Sequence, residues 1–224
     1  TSDELTNYDD KGLYFRTAPP DVLQGRVLGD LILADGNTTL GILALQDSYG
    51  TGLADNAEKS FTGGGGEVVE KVIYDPKAAS FSTEVGKIKA ADPEAIAVIA
   101  FDETKKIIPE LVKQGIGPDT KKIYFVDGNL ANYDKDFDKG TLDGVKGTLP
   151  GVASTDEFKT RLTDLKPDLT EFAYAPESYD ATIVVALAAV AAGDDAGASI
   201  ASKMQDVTSG GEKCTSFADC VKLL

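Results

Sequence analysis

The chain has 224 residues, 42% of them apolar and 26% charged, with a formal net charge of −15, no histidine, no tryptophan and two cysteines. That length supports a sizeable buried core in one large domain or two small ones. The acidity argues against nucleic acid or an anionic lipid surface as partner, and the missing histidine excludes Ser-His and Cys-His hydrolases and His-based zinc sites.

The first segment, "GLYFRTAPPDVLQGRVLGDLIL", reads as a short extended stretch that enters a helix after Pro20, with Asp21 near its start. From Thr38 onward, strands and helices alternate. "TTLGILALQ" is a buried strand running into the polar, glycine-spaced turn "DSYG". "TGLADNAEKSF" is a helix, closed by "TGGGG" as C-cap and turn. A phosphate-cradling loop would precede a helix, whereas this glycine run follows one, so a nucleotide site is not indicated.

"EVVEKVIY" is the next strand, and "FSTEVGKIKAA" a helix with Phe81, Val85 and Ile88 on one face. "AIAVIAF" is a fully buried strand and "ETKKIIPELVKQGI" an amphipathic helix in which Pro109 implies a kink or a looser turn. "KKIYFVDG" is a further strand. Continuous apolar strands separated by helices define an α/β fold, a parallel sheet flanked by helices on both faces.

Beyond "VKGTLPG" the strand signal fades, and four helical stretches follow: "TDEFKTRLTDL", "SYDATIVVALAAVAAG", "AGASIASKMQDVTSG" and "SFADCVKLL". The apolar run Ala181–Ala192 falls short of the ~20 residues that cross a bilayer and reads as a helix buried nearly all round. Cys214 and Cys220 on one helix would rise too far apart for a bridge. A disulfide therefore requires Cys214 to lie outside the helix, which the glycines of "GGEKCTSFADC" allow, with Thr215 or Ser216 as cap. Such a pair in an otherwise cysteine-free chain points to an oxidising compartment.

Ligands of open parallel sheets gather at the carboxyl ends of the strands. Three strand ends carry polar and aromatic groups: Gln46, Asp47, Ser48 and Tyr49 on the first; Phe101, Asp102 and Glu103 on the next; Asp127, Gly128 and Asn129 on the last. Ser48 is not in a nucleophile elbow. Asp47, Asp102 and Asp127 have the chemistry for magnesium, yet no lysine stands where a phosphotransfer site needs it. Each acidic residue taken alone is also an ordinary turn or cap residue, and Tyr49 alone an ordinary packing residue. A carboxylate- or magnesium-dependent enzyme therefore stays open as an alternative, while no metal, cofactor or catalytic residue is assigned.

In order along the chain, "GLYFRTAPPDVLQG", "DSYGTGL", "DPKAASFSTEVGKIKAADPEAIAV", "IYFVDG" and "ESYDA" resemble the type 1 periplasmic-binding-protein family, most closely its branched-chain-amino-acid type of ABC-transporter substrate-binding protein. The resemblance implies two α/β lobes joined by three crossings and closing over a ligand. Residues 1–18 would be a first-lobe segment and hinge crossing, 19–150 the second lobe, and 151–224 a return to an incomplete first lobe, so that the chain resembles a fragment. It implies that Tyr49 sets its ring against the ligand, that Phe101 lies near a second aromatic contact, and that Asp127 receives an α-ammonium group, with Ser48 and Asp102 beside them. The implied function is capture of an amino acid or small amide for delivery to an ABC importer permease, outside the cell or in the periplasm, with lipoprotein anchoring through a preceding segment. A sensory receptor domain of the same fold is the alternative. A second copy of the chain is the expected cover for Ala181–Ala192 if the first-lobe strands are missing.

Overall fold

A computed structural model describes all residues from Thr1 to Leu224. The chain divides into two compact units: Thr1–Thr6 with Pro19–Pro150, and Asn7–Ala18 with Gly151–Leu224.

Unit 1 holds every strand. Its elements are α1 (Asp21–Ala34), β1 (Thr39–Leu45), α2 (Ser48–Gly63), β2 (Glu67–Tyr74), α3 (Ser82–Ala91), β3 (Ala95–Ile99), α4 (Thr104–Lys113), β4 (Lys122–Phe125) and β5 (Lys146–Gly147). All pairings are parallel, in the order β2-β1-β3-β4-β5. Every residue of β3 is buried, as is all of β1 after Thr39. Both strands therefore read as unbroken apolar runs rather than alternating ones. α1 packs on α2, which lies against β1–β3, and α3 packs on β1, β2 and α4. α4 runs through Pro109 as one continuous helix, burying Ile107, Ile108 and Leu111.

Several sequence expectations differ from the structure; among them, the helix over Ala181–Ala192 is not buried all round, with only Leu187 and Ala188 of that run buried. "DSYG" is not a free turn but the first turn of α2. The Asp47 carboxylate caps it by accepting from the Gly50 N–H at 2.6 Å, and a side chain at Gly50 would collide with the Leu45 carbonyl oxygen. The two-residue β5 lies inside "VKGTLPG", too short to show as an apolar run. The helix expected over "AGASIASKMQDVTSG" is regular only from Gly197 to Lys203.

Where the sequence placed 1–18 together, the compact units part it after Thr6. Hydrogen bonds hold Thr1–Thr6 to unit 1: Asp21 N–H to the Thr1 carbonyl (3.0 Å), Val22 N–H to the Asp3 carboxylate (3.0 Å) and the Asn56 amide to Asp3 (2.6 Å).

Unit 2 contains α5 (Asp156–Leu165), α6 (Ala175–Ala192), α7 (Gly197–Lys203) and α8 (Phe217–Leu223), and no strand. Thr155 caps α5, accepting from Phe158 N–H. α6 ends at Gly193 in the left-handed conformation. At 18 residues α6 is long and apolar enough, by length and composition alone, to cross a bilayer. It starts six residues before the apolar run that the sequence marks. Its Glu177 instead organises this unit, taking the Val152 N–H on its carboxylate (2.7 Å) and the Thr17 hydroxyl on its backbone carbonyl (2.9 Å). Cys214 precedes α8, Cys220 lies within it, and the two form a disulfide with Cα atoms 5.2 Å apart. Ser216 caps the helix between them, accepting from Asp219 N–H.

Candidate functional site

The strand order reverses at β1, since β2 lies on one side of it and β3 on the other. The crevice outside the carboxyl ends of β1 and β3 is thus the topological switch point, where α/β sheets bind ligands. Tyr49 reaches it from the first turn of α2 and Phe101 from the turn after β3. Their rings stack with centroids 5.2 Å apart and planes 27° apart, and Phe101 remains 45% exposed. Backbone geometry permits this stack. Phe101 N–H is held by the Glu103 carboxylate at 2.8 Å, and Gly128 passes so near that an added Cβ would fall 2.7 Å from the Phe101 ring.

Asp127 follows β4 at the head of a 3-10 turn, Asp127–Asn129. That turn is anchored by the buried Asn129, whose side chain accepts from Val126 N–H (2.8 Å) and donates to the Val98 carbonyl (2.9 Å). Asn129 is therefore structural. The Tyr49 hydroxyl donates to Asp127 Oδ1 at 2.6 Å and itself accepts from Gly128 N–H at 3.3 Å. Burial, then the Asp127 charge, pushes the Tyr49 phenol well above its ordinary value. At neutral pH the phenol therefore stays a donor.

Two further residues belong to this cluster, although the sequence did not single them out as ligand groups. Gln24, on the second turn of α1, donates its side-chain N–H to Asp127 Oδ1 at 2.9 Å and to the Thr148 carbonyl at 3.1 Å. One turn earlier lies Asp21, fully buried, with neither side-chain oxygen hydrogen-bonded. Burial pushes its carboxyl up. The Asp127 charge acts in the same direction, and the Thr1 amine pulls the other way. A glutamine on a surface helix gives no sequence signal of burial. Its i, i+3 relation to Asp21 right after "PP" was the available hint.

The structure thus brings Tyr49, Phe101 and Asp127 together. Ser48 and Asp102 have other partners: Ser48 is exposed and contacts the Ser2 hydroxyl at 3.5 Å, and Asp102 faces solvent with Lys105 at 3.3 Å. Asp47 serves as the α2 cap and Glu103 as the Phe101 anchor. The Gln46 N–H bonds the Tyr74 carbonyl at 2.8 Å. No group of three or more acidic or cysteine side chains is disposed to hold a metal.

A parallel sheet with a carboxylate and an aromatic pair at its switch point has polar and apolar groups where α/β folds bind small molecules. The family model described as periplasmic binding protein matches residues 1–212, and this chain belongs to that family. Among solved structures it is similar to a leucine-binding protein, LivK, from Thermotoga maritima (22% identity, TM-score 0.72), covering 85% of this chain and 56% of that one. It is also similar to an ABC-transporter solute-binding protein from R. palustris in complex with benzoate (18%, TM-score 0.69), covering 85% and 54%. A third similar structure is a putative branched-chain amino acid ABC transporter protein from Silicibacter pomeroyi (17%, TM-score 0.69), covering 90% and 55%. The chain therefore spans little more than half the length of these structures. No curated protein matches it.

Proposed function

We propose that this chain is the ligand-binding portion of a solute-binding protein that captures an amino acid or small amide and delivers it to an ABC importer, on the periplasmic or extracellular side of the membrane. The observation that carries this reading is Asp127. Its carboxylate stands at the switch point, where it accepts from the Tyr49 phenol and the Gln24 amide. A ligand ammonium group at that carboxylate would make a charge-assisted hydrogen bond of about twice ordinary strength. Tyr49 and Phe101 supply an aromatic wall for its apolar part and attraction for its cation. The work is binding with hinge closure rather than turnover.

Calorimetry of the full-length protein against the twenty amino acids and their amides tests this. Asp127→Asn should weaken the tightest of them by about 1.5–3 kcal/mol. Unchanged affinity for all of them removes Asp127 from the site. A second reading, an aromatic acid as ligand, is favoured by the stacked Tyr49–Phe101 pair and by the benzoate held by one similar protein. Benzoate and 4-hydroxybenzoate belong in the same screen, and for them Asp127→Asn should strengthen binding by removing a like charge. A receptor of the same fold would bind equally well and differ only in its partner.

A further inference from the structure

Gln24 has a place in the fold that its sequence context conceals. It is 3% exposed, and its single amide nitrogen contacts two segments distant in sequence. One is the carboxylate after β4, through Asp127 Oδ1 at 2.9 Å. The other is the segment after β5, through the Thr148 carbonyl at 3.1 Å and hydroxyl at 3.3 Å. Thr148 stands two residues before Pro150, where the chain leaves unit 1, and Gln24 five residues after Pro19, where it enters. The same Oδ1 takes the Tyr49 hydroxyl. A second donor on one oxygen narrows the range over which a carboxylate can turn about its terminal bond.

We propose that Gln24 is a positioning residue of this site: its amide holds the Asp127 carboxylate toward the orientation that the Tyr49 hydroxyl meets, and ties it to the segment by which the chain leaves the unit. This rests on the binding reading above only for its consequence, affinity. The positioning itself is a property of the ligand-free protein. Two neighbours support the assignment. Gln24 Oε1 is buried without a partner, a cost accepted at a position where the N–H end is needed. Asp21, beneath it on α1, offers no donor that could replace the amide while ionised.

The test uses the Tyr49 hydroxyl proton, observed by NMR in the ligand-free protein and identified by its disappearance in Tyr49→Phe. Gln24→Met keeps the volume and removes the donor. It should move the resonance upfield and speed the proton's exchange with water roughly tenfold, the effect of losing one hydrogen bond to a charged acceptor. Gln24→Glu provides the pH signature. A carboxyl here faces Asp21 on its own helix, Asp127 after β4 and Tyr49 on α2. While protonated it donates to Oδ1 as the amide does, and once ionised it repels it. Gln24→Glu should therefore keep the native Tyr49 signal at low pH and lose it in a single step as pH rises, a step absent from the unmodified protein and from Gln24→Met. An unchanged Tyr49 proton in a folded Gln24→Met overturns the proposal. Should that variant not fold, a Gln24→Glu signal without its own pH step overturns it. The amino-acid screen separates the two claims. If no amino acid binds but the Tyr49 proton responds as stated, the positioning stands and the ligand reading falls.

Discussion

The most apolar long helix, α6, lies in unit 2, yet it is unit 1 that buries its apolar faces. In unit 1, five parallel strands take helices on both sides, and residues such as Leu40, Ile42, Ile96 and Val98 have no exposed surface. In unit 2, α6 packs on α7 and α8, and of its 18 residues only Glu177, Leu187 and Ala188 are buried. Tyr179, Val185 and Val190 stay open. A helix that is apolar all round needs neighbours on several faces, and unit 2 has no sheet to supply them. Apolar character in a sequence records what a segment must be covered by, and it does so whether or not the cover lies in the same stretch of chain.

The two units also differ in what alkali should do to them, and this is the largest effect expected. Tyr49, Tyr74 and Tyr124 all lie in unit 1, and in each case burial first, then a nearby carboxylate, pushes the phenol far above its ordinary value. Folded phenols that keep their protons where unfolded ones ionise make stability full below about pH 10 and falling as pH rises beyond it. Denaturant midpoints followed between pH 8 and 12 should drop steeply above pH 10 for the β-sheet signal. A flat profile would show that these phenols reach solvent.

Next in size is a hole in the unit 1 core. Ile96 is fully buried in β3, paired in register with Gly41 on β1 and Ile123 on β4. Ile96→Ala should cost about 2–5 kcal/mol in equilibrium unfolding, from lost transfer energy plus the cavity. A cost under about 1 kcal/mol would mean that unit 1 is as loosely packed as unit 2.

Most of unit 1 was legible because its strands are buried on both faces. "GILAL" and "AIAVI" have no polar position to confuse the period, and "EVVEKVIY" coincides with β2 to the residue. β5 escaped because two residues, Lys146 and Gly147, carry no pattern at all. The first turn of α2 escaped because its cap, Asp47, and its required glycine, Gly50, look like turn residues; only the close approach of the Leu45 carbonyl shows why a glycine is needed there. Within the site, Asp127 and Tyr49 could be picked out because each follows an apolar strand. Gln24 could not, since its burial comes from segments over a hundred residues away. Unit 2 gave its helices from sequence but not their surroundings. The Glu177 contacts with Thr17 and Val152 join three separate segments, and no local signal predicts that.

The smallest effect sharpens the comparison most. Val190 is on the last turns of α6 and 47% exposed. Truncating it in the monomeric chain removes little buried surface, so Val190→Ala should change stability by no more than about 0.5 kcal/mol, the range of ordinary surface substitutions. Val185 and Val190, on different sides of α6, both leave apolar surface open, of a kind that monomers rarely leave bare when contiguous. Light scattering should therefore show the mass rising with concentration as a second copy covers it, and Val190→Lys should hold the chain monomeric. The two measurements check each other. If Val190→Ala proved as costly as Ile96→Ala at concentrations where scattering reports a monomer, α6 would be covered within a single chain, and the contrast between the units would fail.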